Sequence, residues 1–335
     1  MLNNKSLLIT GGTGTLGKAL VERILKIYPN IGRLIIFSRD EMKQWIMAEN
    51  YQNDKRVNFI IGDVRDKERL SRTLDGVDFV VHAAATKIVP TAEYNPFECV
   101  KTNINGAMNV IDTATDKKIK KVVALSTDKA SNPINLYGAT KLASDKLFVA
   151  GSSHININKT LFSVVRYGNV MGSRGSVIPF FLMKKKEGVV IPITHSKMTR
   201  FMITLDEAVK LVWHAFDDML GGEIYVKKIP SMKIIDIANA IAPGAEQKII
   251  GIRPGEKLHE QMIGLEDSPH TYEYDSYFKI LPAIHNLSKD PMRIKNGKKV
   301  SKNFQYTSDK NISWMSSNDL SLWIEKNMES LLLNI

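Results

Sequence analysis

The sequence predicts an α/β protein with a doubly wound parallel sheet and a smaller mixed α/β lobe. In the first half, short runs rich in β-branched residues alternate with helical patterns about every thirty residues, as parallel strands joined by crossover helices do. After about Asn169 this alternation fades into shorter, mixed elements. We therefore expect a first domain over residues 1–169 and a second lobe over 170–335, with strands or helices of the second part free to return to the first.

The predicted elements follow this pattern in chain order. A helix starting at Asn95 and Pro96 is expected through residue 110, because Asn is a good cap and Pro suits the first turn. The expected strands of the first half are residues 7–10, 34–37, 57–61, 79–82, 122–126 and 162–166. In the second half we expect helices over 177–186, 206–216 and 233–242 and a strand over 224–226.

Composition narrows the class of protein. With 335 residues, 44% hydrophobic and 24% charged, the chain is an ordinary globular protein. Its single cysteine, Cys99, excludes a disulfide framework and favours a reducing compartment, so we expect a cytoplasmic protein. No signal peptide or apolar run of membrane-spanning length occurs, which predicts no membrane association. The seven histidines show no ligand-like pairing, and we predict no metal.

The net charge of +11 would favour an anionic partner. The densest basic run, residues 289–302, has no interleaved aromatic side chains, so we expect no nucleic-acid binding. An anionic small substrate or a solvated basic face remains the better interpretation.

A glycine-rich loop directly follows the first predicted strand. In the run Thr-Gly-Gly-Thr-Gly-Thr-Leu-Gly, Gly11 permits a tight turn, Gly14 lets backbone amides approach a pyrophosphate, and Gly17 allows close helix packing. This strand, turn and helix pattern is that of a dinucleotide-binding Rossmann domain. The predicted cofactor contacts in this loop are Gly11, Thr13, Gly14, Thr15, Leu16 and Gly17.

The end of the second strand indicates which dinucleotide binds. A carboxylate there would bond the 2′-hydroxyl of NAD, but Ser38 occupies that position, and Arg39 with Lys43 suits a 2′-phosphate. We therefore predict that the cofactor is NADP. In an alternative interpretation, Arg39 is only a surface charge and Asp40 is a helix cap, and this can hold together with NADP binding. Further predicted cofactor contacts are Asp63 and Val64 at the adenine, together with Ala83, Ala85 and Val170.

The fifth predicted strand ends at Thr127, Asp128 and Lys129, and Tyr137 and Lys141 follow on a predicted helix. Residues four apart share a helix face, so the charge of Lys141 can depress the phenol pKa of Tyr137 and its ammonium can reach the ribose of a nicotinamide cofactor. A phenolate in this place is a base for alcohol oxidation. We predict that these five residues carry the chemistry.

These motifs resemble the extended short-chain dehydrogenase/reductase family. Within it, the chain resembles the UDP-N-acetylglucosamine 4,6-dehydratases, and among these the C5-inverting enzymes that open the pseudaminic acid pathway used in flagellin glycosylation. The resemblance is carried by residues 82–85, 87, 89–96, 126–130, 166–170, 198–201, 229–233 and 251–260, and it spans essentially the whole chain.

The resemblance implies a lyase that uses NADP without consuming it. Tyr137 would take the O4 proton while the C4 hydride passes to the cofactor; Lys129 would then take the C5 proton, and Asp128 would protonate the departing C6 hydroxyl. C5-retaining relatives carry Asp-Glu where this chain has Asp128 and Lys129. To act as a base Lys129 must lose a proton, and we expect burial, Lys141 and the oxidised nicotinamide to lower its pKa.

The resemblance also implies the partners. The substrate is expected to be UDP-N-acetylglucosamine, and the protein is expected to form homo-oligomers, either dimers or hexamers. Predicted substrate contacts are Lys87, Asn169, Val177, Met198, Arg200, Arg253 and Glu256. Three alternatives stay open: a C5-retaining dehydratase, a sugar-nucleotide epimerase, and a non-catalytic NADP-sensing protein.

Overall fold

The computed structural model describes residues 2–154 and 160–332. Within these residues the main sheet has ten strands. They are β1 (Ser6–Thr10), β2 (Arg33–Ser38), β3 (Val57–Ile61), β4 (Phe79–His82), β5 (Lys121–Thr127), β6 (Leu161–Tyr167), β10 (Ile224–Lys227), β14 (Thr271–Glu273), β15 (Tyr277–Ile280) and β16 (Lys298–Lys299). Their order across the sheet is β16-β14-β15-β10-β6-β5-β4-β1-β2-β3.

The remaining elements flank this sheet or build the second lobe. The helices are α1 (Thr15–Ile27), α2 (Glu41–Ala48), α3 (Lys67–Thr73), α4 (Val89–Tyr94), α5 (Pro96–Val100), α6 (Gly106–Asp116), α7 (Leu136–His154), α8 (Val177–Glu187), α9 (Leu205–Asp218), α10 (Ile234–Ile241), α11 (Pro291–Ile294) and α12 (Ser317–Leu332). The smaller strands are β7 (Asn169–Val170), β8 (Ile191–Ile193), β9 (Thr199–Ile203), β11 (Ser231–Lys233), β12 (Gln247–Ile249), β13 (Gln261–Ile263) and β17 (Tyr306–Thr307).

The doubly wound sheet predicted from the sequence is confirmed. The strands from β3 to β10 run parallel, with antiparallel β15, β14 and β16 added at one edge. Parallel strands with helices on both faces are buried, which explains their continuous apolar runs. The six predicted strands of the first half are present, and their bounds differ from the prediction by at most one residue at each end.

The helix predicted from Asn95 to residue 110 is more complex than expected. It comprises α5, a π-helical segment over Lys101–Asn105, and α6. Pro96 opens it as predicted, but the Asn95 side chain forms no cap; its amide instead donates to the carbonyl of Thr91 in the preceding helix α4. Helix α4 was not predicted, because its six residues are too few to show a helical period.

The second half both builds a lobe and returns to the main sheet. A separate apolar core joins α8, α10 and α12 to β8, β9 and β11. In contrast, α9 packs on α1, and β10, β14, β15 and β16 extend the main sheet. The carboxyl ends of β1, β4 and β5 therefore face a lobe built from later residues, which places a cleft between them. Among the described helices, none combines the length and apolar character needed to span a membrane.

Candidate active site

A cavity of about 1010 Å³ lies along the carboxyl ends of the parallel strands. It brings together every predicted site residue except Asp128, which is fully buried behind its wall. At one end lie the glycine loop and the ends of β2 and β3; at the other lie Tyr137, Lys141 and residues of the second lobe. No group of three or more His, Cys, Asp or Glu side chains fit to hold a metal occurs in residues 2–154 and 160–332.

The glycine loop fits a bound dinucleotide. Gly11 has φ of +66°, and a Cβ there would lie 2.9 Å from the backbone of Ala84. A Cβ on Gly17 would lie 2.3 Å from the carbonyl oxygen of Gly12. Both positions therefore exclude larger residues, and they leave the amino end of α1 open toward the cavity, where backbone amides favour a phosphate.

The end of β2 carries the residues expected to read the adenosine ribose. Ser38 is buried, and its hydroxyl oxygen accepts from Thr13 Oγ1 at 3.2 Å and from Gln44 Nε2 at 3.1 Å. Asp40 caps α2 by accepting from the amide of Lys43 at 2.9 Å, and Lys43 Nζ pairs with the same carboxylate at 2.6 Å. The cap interpretation of Asp40 is thus confirmed.

Asp63 is fixed by an arginine that the sequence reasoning did not single out. Arg65 donates to the Asp63 carboxylate from Nε at 2.9 Å and from Nη2 at 2.7 Å, and Arg39 Nη1 lies 3.7 Å from it. Burial opposes the charge of Asp63, but these arginines lower its pKa below the usual value. Asp63 is therefore held as an ionised acceptor facing the cavity.

Tyr137 and Lys141 lie one turn apart on α7, and both line the cavity. Asn135 orders the start of this helix by accepting from the amide of Gly138 at 2.7 Å. Burial raises the pKa of Tyr137 to about 12, against smaller opposing effects of Lys129 and Thr127. Burial also lowers the pKa of Lys141. The expectation that Lys141 depresses the Tyr137 pKa is not met in the protein alone, because desolvation of the phenolate dominates.

Lys129 lies between two carboxylates. Its Nζ is 3.1 Å from Asp128 Oδ1 and 3.1 Å from Oε1 of Glu260, a residue of the second lobe. Asp128 Oδ1 also accepts from the Thr127 hydroxyl at 2.9 Å. Asp128 Oδ2 and Glu260 Oε2 are buried, and neither has a hydrogen-bond partner among the described residues. Each acid therefore keeps one oxygen uncommitted.

The predicted lowering of the Lys129 pKa is wrong. Burial does oppose its charge, but the Asp128 and Glu260 carboxylates outweigh burial and raise the pKa above the usual lysine value. The expectation weighed burial and the positive neighbours but not the adjacent Asp128, and Glu260 comes from a distant segment of the sequence. Burial raises the pKa of Asp128, so this acid retains its proton more readily than an exposed one.

Residues 253–256 and Glu260 form one part of the cavity wall that the second lobe contributes. Arg253 Nη2 pairs with Glu256 at 2.5 Å, and Arg200 Nη2 lies 4.0 Å from the same carboxylate. Two hydrogen bonds join this segment to the first domain. Lys257 Nζ donates to the carbonyl of Ser131 at 2.7 Å, and Asn135 Nδ2 donates to the carbonyl of Gly255 at 2.7 Å.

The other predicted substrate contacts lie elsewhere on the cavity wall. Lys87 Nζ donates to the carbonyl of Arg174 at 3.0 Å, which joins the loop after β4 to the loop before α8. Asn169 is on β7, Val177 is the first residue of α8, and Met198 is buried just before β9. Predicted cofactor contacts Val64, Ala83, Ala85 and Val170 line the same cavity.

A further polar side chain, Asn103, was missed in the sequence. It lies in the π-helical segment, accepts from the amide of Thr86 at 2.9 Å and donates to Thr140 Oγ1 at 3.0 Å. It thereby joins the loop after β4 to helix α7, next to Tyr137. Its signal was weak because a π-helical segment has no distinctive sequence pattern.

The fold and cavity together define a dinucleotide-binding protein of the short-chain dehydrogenase/reductase type. The chain belongs to the family described as polysaccharide biosynthesis protein, which matches residues 7–282.

Individual relatives cover most of the chain. It is 55% identical to the UDP-N-acetylglucosamine 4,6-dehydratase (inverting) of Campylobacter jejuni serotype O:2, over 96% of this chain and 97% of that one. It is 42% identical to the UDP-glucose 4-epimerase of Rickettsia akari, over 92% of both chains. Its fold matches the X-ray structure of Pen from Bacillus thuringiensis with a TM-score of 0.90 and 35% identity, covering 99% of each chain. The family resemblance predicted from the sequence is therefore confirmed.

Proposed function

We propose that this protein is an NADP-dependent UDP-N-acetylglucosamine 4,6-dehydratase that inverts C5, and hence a lyase. The observation that carries the proposal is the cluster of Asp128, Lys129 and Glu260 beside Tyr137. Simple alcohol oxidation needs only the tyrosine and Lys141. Elimination of water across C5 and C6 also needs a base for the C5 proton and an acid for the C6 oxygen, and the cluster offers both. The name of the Campylobacter relative agrees with this activity.

Each proposed role follows from a side chain's environment. Tyr137 accepts the proton of the sugar O4, and Lys141, buried beside it, stabilises the resulting phenolate. Asp128 donates a proton to the departing C6 oxygen, because burial raises its pKa and so favours the protonated acid. Lys129 removes the C5 proton after losing one of its own. Its raised pKa makes the neutral amine a stronger base while making that form scarcer.

The cofactor is held by the glycine loop, whose Gly11 and Gly17 leave space that side chains would fill. When bound there, a nicotinamide dinucleotide supplies hydride acceptance from C4 and hydride return to C6. NADP is preferred in this proposal because Ser38 brings no carboxylate to the ribose and Arg39 lines the same end of the cavity. Measuring the cofactor retained on purification by mass spectrometry tests this choice, and retained NAD in place of NADP would contradict it.

The direct test of the activity is product analysis in deuterated water. With UDP-N-acetylglucosamine we expect the product to have lost one water and to have gained one deuterium from the solvent at C5. NMR should identify it as UDP-2-acetamido-2,6-dideoxy-β-L-arabino-hexos-4-ulose. A product with retained C5 configuration would replace the inverting proposal with a retaining one. Unchanged substrate would contradict the dehydratase proposal itself.

A 4-epimerase is the second candidate, because the Rickettsia akari relative carries that name. Epimerisation at C4 needs the tyrosine and the cofactor, but it forms no carbanion at C5. The placement of Lys129 between two buried carboxylates has no use in that reaction and favours the dehydratase. A non-catalytic NADP sensor is disfavoured by the retained pair of Tyr137 and Lys141.

The remaining expectations belong to the same proposal. We infer a cytoplasmic homo-oligomer, either a dimer or a hexamer, that supplies the pseudaminic acid pathway used in flagellin glycosylation. We also keep the division into a cofactor domain of residues 1–169 and a mainly substrate-binding lobe of 170–335. The single buried Cys99 supports a reducing compartment, and the division is supported by the cavity lining, to which both halves of the chain contribute residues.

A further inference from the structure

Glu260 is a buried carboxylate at the cavity for which the proposed reaction has no assigned role. It is 2% exposed, lines the cavity and comes from the second lobe, whereas Lys129 lies in the turn that follows β5. Its Oε1 is 3.1 Å from Lys129 Nζ, and its Oε2 is buried without a hydrogen-bond partner in the described part of the chain. A buried carboxylate with one uncommitted oxygen is costly to retain for stability alone, which suggests a use in the site.

The backbone at Glu260 is firmly anchored. The Glu260 amide donates to Ser308 Oγ at 2.8 Å, and the Glu260 carbonyl accepts from the Ser308 amide at 2.8 Å. Ser308 Oγ in turn lies 2.6 Å from Thr199 Oγ1, which is 2.8 Å from His259 Nδ1. This network ties Glu260 to β9 and to the segment after β17, so its carboxylate is presented to Lys129 from a rigid support.

Charges of both signs surround the lysine. Asp128 faces it from its own strand end, Glu260 and Arg200 from the second lobe, and Tyr137 from α7. Lys257 faces both the lysine and the two acids. Arg200 Nε is 3.7 Å from Glu260 Oε1, so that single oxygen contacts two cations. Loss of the Glu260 charge would leave Lys129 with Asp128 as its one close carboxylate among the described residues.

We propose that Glu260 is a positioning residue that holds Lys129 Nζ from the second lobe and aims it at the sugar carbon whose proton it removes. The inference rests on the proposed function, since it assigns Lys129 the steps at C5. It predicts that Glu260 acts on proton transfer at C5 and hardly at all on oxidation at C4. It also predicts that removal of the Glu260 charge lowers the pKa of Lys129.

The test uses the full-length variants Glu260→Gln, Glu260→Asp and, as an exposed control on the same segment, Glu266→Gln. For E260Q we expect the maximal rate of C5 deuterium exchange to fall by at least about tenfold with KM changed less than about threefold. Reduction of the cofactor in the first step, followed by its absorbance, should persist. The rate should also level off at a lower pH than in the unmutated protein, because neutral Lys129 becomes available earlier.

The two further variants separate positioning from folding. E260D retains the charge on a shorter side chain, and we expect it to restore part of the exchange rate; E266Q should behave as the unmutated protein. An E260Q protein with unchanged exchange and an unmoved pH profile would overturn the proposal. So would equal loss of C4 oxidation and C5 exchange, since Glu260 would then serve binding or folding.

The inference can fail separately from the proposed function. If the unmutated protein does not turn over UDP-N-acetylglucosamine, the function is wrong, and an NMR titration of lysine labelled with ¹³C at Cε still tests the contact. The Lys129 signal, assigned by its loss in Lys129→Met, should titrate at a lower pH in E260Q. An equal titration in both proteins would overturn the inference.

Discussion

Two buried clusters of lysine and carboxylate lie in different parts of this molecule. They differ in how many of their carboxylate oxygens have hydrogen-bond partners. Behind the main sheet, both oxygens of Asp218 are occupied: Oδ2 accepts from Lys279 at 2.6 Å and Tyr225 at 2.8 Å, and Oδ1 accepts from Lys295 at 2.6 Å. At the cavity, Asp128 and Glu260 each keep one buried oxygen without a partner among the residues described.

The difference is also electrostatic. Although burial opposes its charge, hydrogen bonds from Lys279, Lys295 and Tyr225 lower the pKa of Asp218 to about 2. The pKa of Asp128 is instead raised by burial. The Asp218 cluster, in which every carboxylate oxygen is hydrogen-bonded, joins strand β15 and the segment after it to α9. An unsatisfied cluster beside a cavity holds groups ready to exchange protons, so incomplete hydrogen bonding is the better mark of function here.

Replacement of Lys129 should give the largest effect on activity. For Lys129→Met we expect at least about a thousandfold loss of dehydratase activity, since a proton-transfer group typically contributes 10²–10⁴-fold. The cofactor should still bind, because Lys129 lies away from the glycine loop. Product formation and cofactor binding, measured on the same sample, check this; a variant with near-normal turnover would remove Lys129 from the mechanism.

Replacement of Lys279 should act on stability and not on chemistry. Lys279→Met removes the fully buried cation that contacts Asp218 and leaves the carboxylate with the half-exposed Lys295 and with Tyr225. Breaking a buried pair outright typically costs about 3–5 kcal/mol in the free energy of unfolding, and we expect a smaller loss here because these two partners remain. Denaturant unfolding measures the loss. Activity per folded molecule should match the unmutated protein at low temperature, and a selective loss of turnover would break the distinction between the clusters.

The pH dependence of stability should reveal Asp218. Its pKa of about 2 in the folded protein lies below the unfolded value of about 4, so its contribution is fully present above pH 4 and is lost as the pH falls toward 2. The amount is on the order of 2 kcal/mol. Unfolding of Asp218→Asn between pH 5 and 2.5 should show a flatter acid dependence than the unmutated protein; parallel curves would contradict the assignment.

An exposed ion pair should show the smallest effect. Lys67 Nζ lies 2.7 Å from Asp112, and both side chains are about half exposed. Solvent screens such pairs, so Lys67→Met should change the free energy of unfolding by less than about 1 kcal/mol and leave activity unchanged. A loss comparable to that of Lys279→Met would mean that burial is not what separates these sites.

The features that could be predicted from the sequence are those that depend on residues close together in the chain. The glycine loop, the alternating strands and the pair of Tyr137 and Lys141 each depend on residues within one turn or one strand, so their geometry follows from local rules. Glu260 and the Asp218 cluster depend on partners far apart in the chain. Their roles, and the sign of the Lys129 pKa shift, emerge only when tertiary packing brings the second lobe to the strand ends.

The most direct test of the account follows the hydride. UDP-N-acetylglucosamine carrying deuterium at C4 should yield a 4-keto product with that deuterium in the C6 methyl group, because the hydride removed beside Tyr137 returns to C6 after elimination at Lys129 and Asp128. NMR of the product locates the label. Deuterium found at C4 of an epimerised sugar would contradict the dehydratase account and support the epimerase.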